Sequence, residues 1–265
     1  MTIRPALRRF ILLAASSLLA VNFLSAQATD PLRIDPPVAG VPDNLAAIKH
    51  LQGEYIVLCG GPAIRKWETL RRSYQQHDNW WANFLAGTNV RTRQLIQEGV
   101  MPSSITWLVF RPGYARRATE EGKPLTSWVA ELAAKRGVRL VWFNSQAEMI
   151  AYLNAGQNRS RNKIVSFDYF GHSNKFCFLF DYSSEVSGCS TCWLHVRDLK
   201  QINGRAFDRK AYARSWGCHT GESMSKAWKS AVGVPMWGAL GKTDYEPTGR
   251  GQLPVLSTAA GEWTR

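Results

Sequence analysis

Two residues in this chain pair a nucleophile with a proton acceptor at matching places. His172 stands in Tyr169-Phe170-Gly171-His172-Ser173, and Cys218 in Ser215-Trp216-Gly217-Cys218-His219; each follows an apolar stretch and a glycine. A cysteine attacks as thiolate, and a free thiol near pKa 8.5 is mostly protonated at neutral pH, so an imidazole that takes the proton completes the chemistry. If the two stretches are neighbouring strands, their ends lie within about 5–10 Å, because adjacent strands run roughly 4.8 Å apart. A second lever is local. Thr220 reads as the N-cap of a helix over 221–232, which sets Cys218 at the positive end of a helix dipole. Backbone N–H groups at 173 and 218, opened by small neighbours, supply oxyanion donors, with Gly171, Ser173 and Gly217 as surroundings. Asp168 shares a strand face with His172 and is placed to orient the imidazole, or else is an ordinary hydrogen-bonded strand-end acid. His219 is a competing base that points away from Cys218 if the backbone stays extended.

A second constellation is Cys177, Cys189, Cys192 and His195, spaced C-x11-C-x2-C-x2-H. Four soft ligands with a CxxC knuckle suit tetrahedral zinc. In an oxidising compartment a disulfide is the stronger expectation, Cys177 to Cys189 or to Cys192, since spacing does not fix connectivity. Free thiols are the third outcome. Either bond would staple a hairpin beside His172. Cys59 ends an apolar run before Gly60-Gly61, and reads as a core cysteine or as a pocket wall near the same rim.

The elements that must position these residues alternate. Apolar runs at 54–59, 105–110, 138–143, 163–169, 210–216 and 234–240 read as strands stopped by glycine or proline. Helical patterns fall at 64–76, 79–98, 127–136, 146–154 and 221–232, with a short one near 197–203. Gly137 and Gly233 close two of them. Residues 176–182 and 193–196 read as a β-hairpin excursion with its tip at 187–189. The alternation implies an α/β fold: a mostly parallel six-stranded sheet with helices on both faces, plus a small β-hairpin insertion. In open sheets of this kind, sites gather beyond the carboxyl ends of the strands. His172 and Cys218 both stand there.

A strand ending in His-Gly or His-Ser, then a second ending in a small residue plus Cys about 50 positions later, resembles the caspase–gingipain–legumain class of cysteine peptidases. Here the spacing is 46 positions, and the resemblance covers residues 52–245. It implies a caspase-like α/β fold, a His172/Cys218 dyad, and cleavage set by the side chain before the scissile bond. It also makes Trp216, just before the nucleophile, a pocket residue, with Cys59, Gly60 and Asp244 as further wall candidates. Asp168, Asp181 and Asp244 would favour a basic substrate residue; Lys242 would favour an acidic one. Two positions depart from the pattern: Ser173 follows the histidine where glycine is commoner, and Gly217 precedes the cysteine where Ala or Ser is usual. No caspase pentapeptide is present. Papain-like and transglutaminase-like enzymes place cysteine before histidine, and sortases, which share this order, are β-barrels.

The N-terminus carries Arg4, Arg8 and Arg9 ahead of an apolar run from Phe10 to Leu24 and a Ser25-Ala26-Gln27-Ala28 cleavage pattern. It reads as a secretory signal over 1–28, too short to be the roughly 20-residue membrane span. The organisation that follows is an extended proline-rich linker at 29–49, the α/β domain at 50–245 and an irregular tail at 246–265. The working protein is then periplasmic or secreted, with no membrane span after signal removal. The formal charge of the whole chain is +13, which favours anionic partners, although the arginines (Arg65, Arg91, Arg93, Arg117, Arg159 among them) follow no single helix face and read as a solvated basic surface. No nucleic-acid motif and no cofactor motif appears. The expectation is an exported cysteine endopeptidase acting on protein or peptide, without cofactor. The alternatives are an inactive module of the same fold that binds a protein or anionic envelope polymer, and a metal-binding exported protein.

Overall fold

Six apolar runs fold as strands close to where their patterns place them. The computed structural model describes residues 51–70 and 79–265, which fall in one unit, Pro31–Arg265; the signal read at 1–28 and the whole linker read at 29–49 lie outside the described residues. Glu54–Cys59 (β1) is the buried centre of the main sheet, paired in parallel with Ile105–Phe110 (β2) on one side and Ile164–Phe170 (β4) on the other. Arg139–Phe143 (β3) lies outside β2, and Phe207–Ser215 (β8) and Met236–Leu240 (β9) continue in parallel beyond β4. Every residue of β1, β2 and β4 is buried, as continuous apolar runs covered on both faces require.

The sheet has seven strands rather than six, in the order β12-β9-β8-β4-β1-β2-β3. The seventh, Glu262–Thr264 (β12), comes from the tail read as irregular and pairs antiparallel to β9. A shorter piece of the tail, Val255–Leu256 (β11), forms a separate antiparallel pair with Thr243–Asp244 (β10), just before it.

Helices cover both faces. Asn83–Gln97 (α2), Arg111–Glu121 (α3) and Leu125–Arg136 (α4) pack on one, through Phe84, Leu85, Leu95, Tyr114, Val129 and Leu132. Gln146–Ala155 (α5) and Met224–Val232 (α6) pack on the other, through Met149, Leu153, Met224 and Trp228. The short Arg65–Thr69 (α1) follows β1. Helix α3 was not expected, because Pro112-Gly113 reads as a strand stop. Proline is also at home in the first turn of a helix, where its missing N–H goes unused, and here Pro112 opens the helix directly behind Phe110.

The insertion is a three-stranded antiparallel sheet, His172–Ser173 (β5), Cys177–Leu179 (β6) and Trp193–His195 (β7). Phe178 and Leu194 face inward and are fully buried, with Phe178 stacked on Tyr169 of β4 at 4.1 Å between ring centroids.

The solvated basic surface is smaller than composition implies. Arg91, Arg117 and Arg159 are buried and paired with Asp168, Glu121 and Glu54. Among the described residues, no helix is long and apolar enough to cross a membrane.

Candidate functional site

Strands β4 and β8 are neighbours with Tyr169 level with Ser215, so the turns that carry His172 and Cys218 leave the sheet side by side. They touch. Ser173 Oγ–H donates to the Cys218 carbonyl at 2.7 Å. The backbone approach is so close that a Cβ on Gly217 would overlap Ser173 Oγ and lie 2.9 Å from both Ser173 Cβ and the Gly171 carbonyl oxygen. A Cβ on Gly171 would in turn run into the Tyr169 phenol, whose hydroxyl donates to the His172 carbonyl at 2.6 Å. Glycine is therefore demanded at both positions by contact.

The His172 ring sits edge-on to Phe84 and to Tyr182, with centroids 4.7 Å away in each case. Its Nε2 is buried and lies 3.6 Å from Glu68 Oε1, itself almost wholly buried in α1. The acid beside the imidazole is thus Glu68. Asp168 is committed elsewhere: it pairs with Arg91 Nε at 3.3 Å and accepts from Trp216 Nε1 at 3.0 Å and Ser166 Oγ at 3.3 Å. Strand alternation correctly places Asp168 on the His172 side of β4, but α2 brings a buried guanidinium there, and the stronger charge partner takes the carboxylate. Glu68 has one sequence signal, its place just past the carboxyl end of the central strand.

The sulfur of Cys218 is held by Thr243, whose N–H donates to it at 3.4 Å and whose Oγ1 lies 3.5 Å away. Among the described residues no hydrogen bond joins this thiol to the His172 ring. Tyr245 accepts from the Gly171 N–H at 3.2 Å while its ring packs edge-on to Phe84 at 4.9 Å. Cys218 does not stand at the helix N-terminus expected for it. Helix α6 begins at Met224, and Thr220 instead bonds the Gly217 carbonyl inside an intervening turn. That turn holds His219 at φ 62°, a left-handed backbone uncommon for a side chain with Cβ, and pairs its exposed ring with Glu222 at 2.6 Å.

Of the expected oxyanion surroundings, Gly171 has spent its N–H on Tyr245. Ser173 has not spent it on the ladder: His172 with Leu179 and Asn174 with Cys177 are the bonded pairs, so the intervening Ser173 N–H points away from β6. Among the described residues the Cys218 N–H meets no protein acceptor either.

Comparison with family models, curated proteins and solved structures finds no match.

The other pocket candidates are mostly structural. Trp216 is buried, stacked on Phe170 with 9° between the rings and edge-on to Trp263. Cys59 is fully buried, 3.2 Å from the Tyr114 hydroxyl, and burial pushes its thiol up to about 11, so it stays protonated at neutral pH. Gly60 is interior, its carbonyl accepting from Tyr114 at 3.2 Å. Asp181 is buried, 3.5 Å from Arg116. Asp244 is half-buried in β10, next to the residue that touches Cys218.

All five cysteines are free thiols. The register explains why the expected bridges do not form. Cys177 lies opposite His195, while the Cys192 carbonyl accepts from Phe180 and that of Cys189 from Ser184. Cys177 and Cys192 are therefore three rungs apart, about 10 Å along the ladder, beyond the 4.4–6.8 Å Cα separation of a disulfide. The same spread parts the four zinc candidates, and among the described residues no group of three or more His, Cys, Asp or Glu comes together to hold a metal.

Proposed function

We propose that the protein is a cysteine endopeptidase of caspase-like type, working outside the cytoplasm, with Cys218 as nucleophile and His172 as its base and acid. The observation that carries this reading is the contact of the two turns on one rim, with a buried carboxylate 3.6 Å behind the imidazole. His172 takes the thiol proton, and the sulfur attacks the substrate carbonyl carbon. The negative oxygen that results sits between the N–H groups of Ser173 and Cys218. His172 then hands the proton to the departing amine, leaving a thioester that water, activated by the same imidazole, hydrolyses back to free thiol and acid. Glu68 attracts the imidazolium formed in between, and Thr243 N–H and O–H bond the sulfur as charge builds on it.

The two departures from the family pattern support the reading, because they compensate. The Cβ missing at Gly217 is replaced in space by the side chain of Ser173, which fills the volume that Gly leaves before the cysteine. One exchange of bulk across the contact explains both.

The test is alkylation of the intact protein by iodoacetamide at neutral pH, followed by peptide mapping. Rapid modification of Cys218 that falls at least about tenfold in His172→Ala, together with cleavage of denatured protein abolished in Cys218→Ala, is the expected result. A Cys218 as slow as a free thiol and indifferent to His172 would leave a non-catalytic module.

A further inference from the structure

The small sheet extends the proposed site from His172 away from Cys218. Antiparallel partners project to one side, so His172, Leu179 and Trp193 form a single row, with Cys177 and His195 in the row beside it. The opposite side of the same strands holds Ser173, Phe178 and Leu194, the last two fully buried. Beyond His172, whose side chain is only 10% exposed, the outward row opens toward its far end: Leu179 is half-buried, Trp193 is 45% exposed, and Phe176 at the adjoining turn is 43% exposed. Among the described residues Trp193 makes no ring contact and no hydrogen bond, so an indole with its N–H free stands on the surface.

Building on the peptidase reading, we propose that this row is the subsite for the leaving-group side of the substrate, and that it selects an apolar or aromatic side chain two to three residues after the scissile bond. The direction follows from the chemistry. The imidazole must protonate the departing amine, so it stands on the C-terminal side of the bond being cut. Strand β5 touches Cys218 through Ser173, and β6 and β7 lie progressively farther from it. A chain leaving the nucleophile past His172 therefore crosses Leu179 and then Trp193. The reach also fits: two strand spacings carry the row about 10 Å from His172, and an extended peptide advances about 3.4 Å per residue. A side chain there meets the Leu179 methyls and the Trp193 ring, and the substrate backbone finds the free indole N–H.

Digestion of a proteome-derived peptide library, with cleavage sites read by mass spectrometry, tests this in the full chain. The wild type should enrich Phe, Leu or Trp at the second or third position after the cut by about tenfold, the discrimination a single apolar contact supplies. Trp193→Ala and Leu179→Ser should flatten that position while leaving the preference before the cut intact. An unchanged profile in both variants overturns the subsite and leaves the peptidase standing. No cleavage from a protein whose Cys218 alkylation depends on His172 overturns it as well. Absence of both cleavage and His172-dependent alkylation removes the peptidase reading and the subsite with it.

Discussion

Replacing Gly217 with alanine should push the two turns apart, and removing the side chain of Ser173 should let them back. The new methyl would overlap Ser173 Oγ and stand 2.9 Å from the Gly171 carbonyl oxygen, a backbone atom that cannot swing aside. Overpacking of this kind costs about 1–3 kcal/mol, and loss of the Ser173–Cys218 hydrogen bond adds about 1 kcal/mol. Gly217→Ala alone should therefore lose about 2–4 kcal/mol, and alkylation of Cys218 should slow as His172 moves off. Ser173→Gly alone should lose about 1–2 kcal/mol, from the same hydrogen bond and the entropy of an added glycine. The double variant, which carries the pattern commoner in the caspase–gingipain–legumain class, removes two of the three clashes. It should be more stable than the sum of the singles predicts by about 1–3 kcal/mol. Urea denaturation measures all four proteins, provided the slope with denaturant stays constant so that midpoints report stability. Additivity within about 0.5 kcal/mol would refute the idea that these two positions exchange volume.

Other outcomes follow from single contacts. Asp168→Asn leaves the buried Arg91 guanidinium with only the more distant carboxylate of Glu98, 3.8 Å away, so the urea midpoint should fall by an amount equivalent to about 3 kcal/mol; a drop below about 1 kcal/mol would mean the Asp168 pair contributes little. Thr243→Val keeps the backbone donor but removes the hydroxyl 3.5 Å from the sulfur, and should slow Cys218 alkylation at neutral pH about tenfold; an equal rate would take that hydroxyl out of the mechanism. Alkali should destabilise the fold through Cys59, because the folded state keeps a proton that the unfolded chain releases from about pH 9 upward. That contribution is intact below pH 9 and lost by pH 11, about 2–3 kcal/mol in all. In Cys59→Ala, melting temperature followed over that range should decline less steeply.

The strands were legible because burial on both faces forces continuous apolar runs, and Cys59, Phe110 and Phe170 end theirs where glycine or proline interrupts. Adjacency of β4 and β8 was a condition for pairing His172 with Cys218 that alternation alone does not fix; the sheet meets that condition. What the sequence concealed depended on partners distant along the chain. Asp168 looks available to His172 until α2 delivers Arg91. Glu68 sits in a stretch whose helical spacing speaks only of packing, yet α1 folds back to bring it to the imidazole. The start of α6 was placed early, because Thr220 is a good capping residue whose hydroxyl is used one turn sooner, on Gly217. Strand β12 escaped notice because three residues are too few to show a period. The cysteines at 177, 189 and 192 misled through spacing alone, which cannot reveal that a ladder holds them rungs apart.

The parallel pairing of β4 with β8 also fixes when the proposed site comes together. No contiguous stretch of chain contains the site: one turn, its partner and the threonine on the sulfur come from three separate stretches, assembled only when non-local strands have docked, a slow kind of folding. On the proposed mechanism, enhanced reactivity of Cys218 should therefore emerge late in refolding, behind helix formation. The rate of its labelling after dilution from urea then serves as a clock for completion of the sheet.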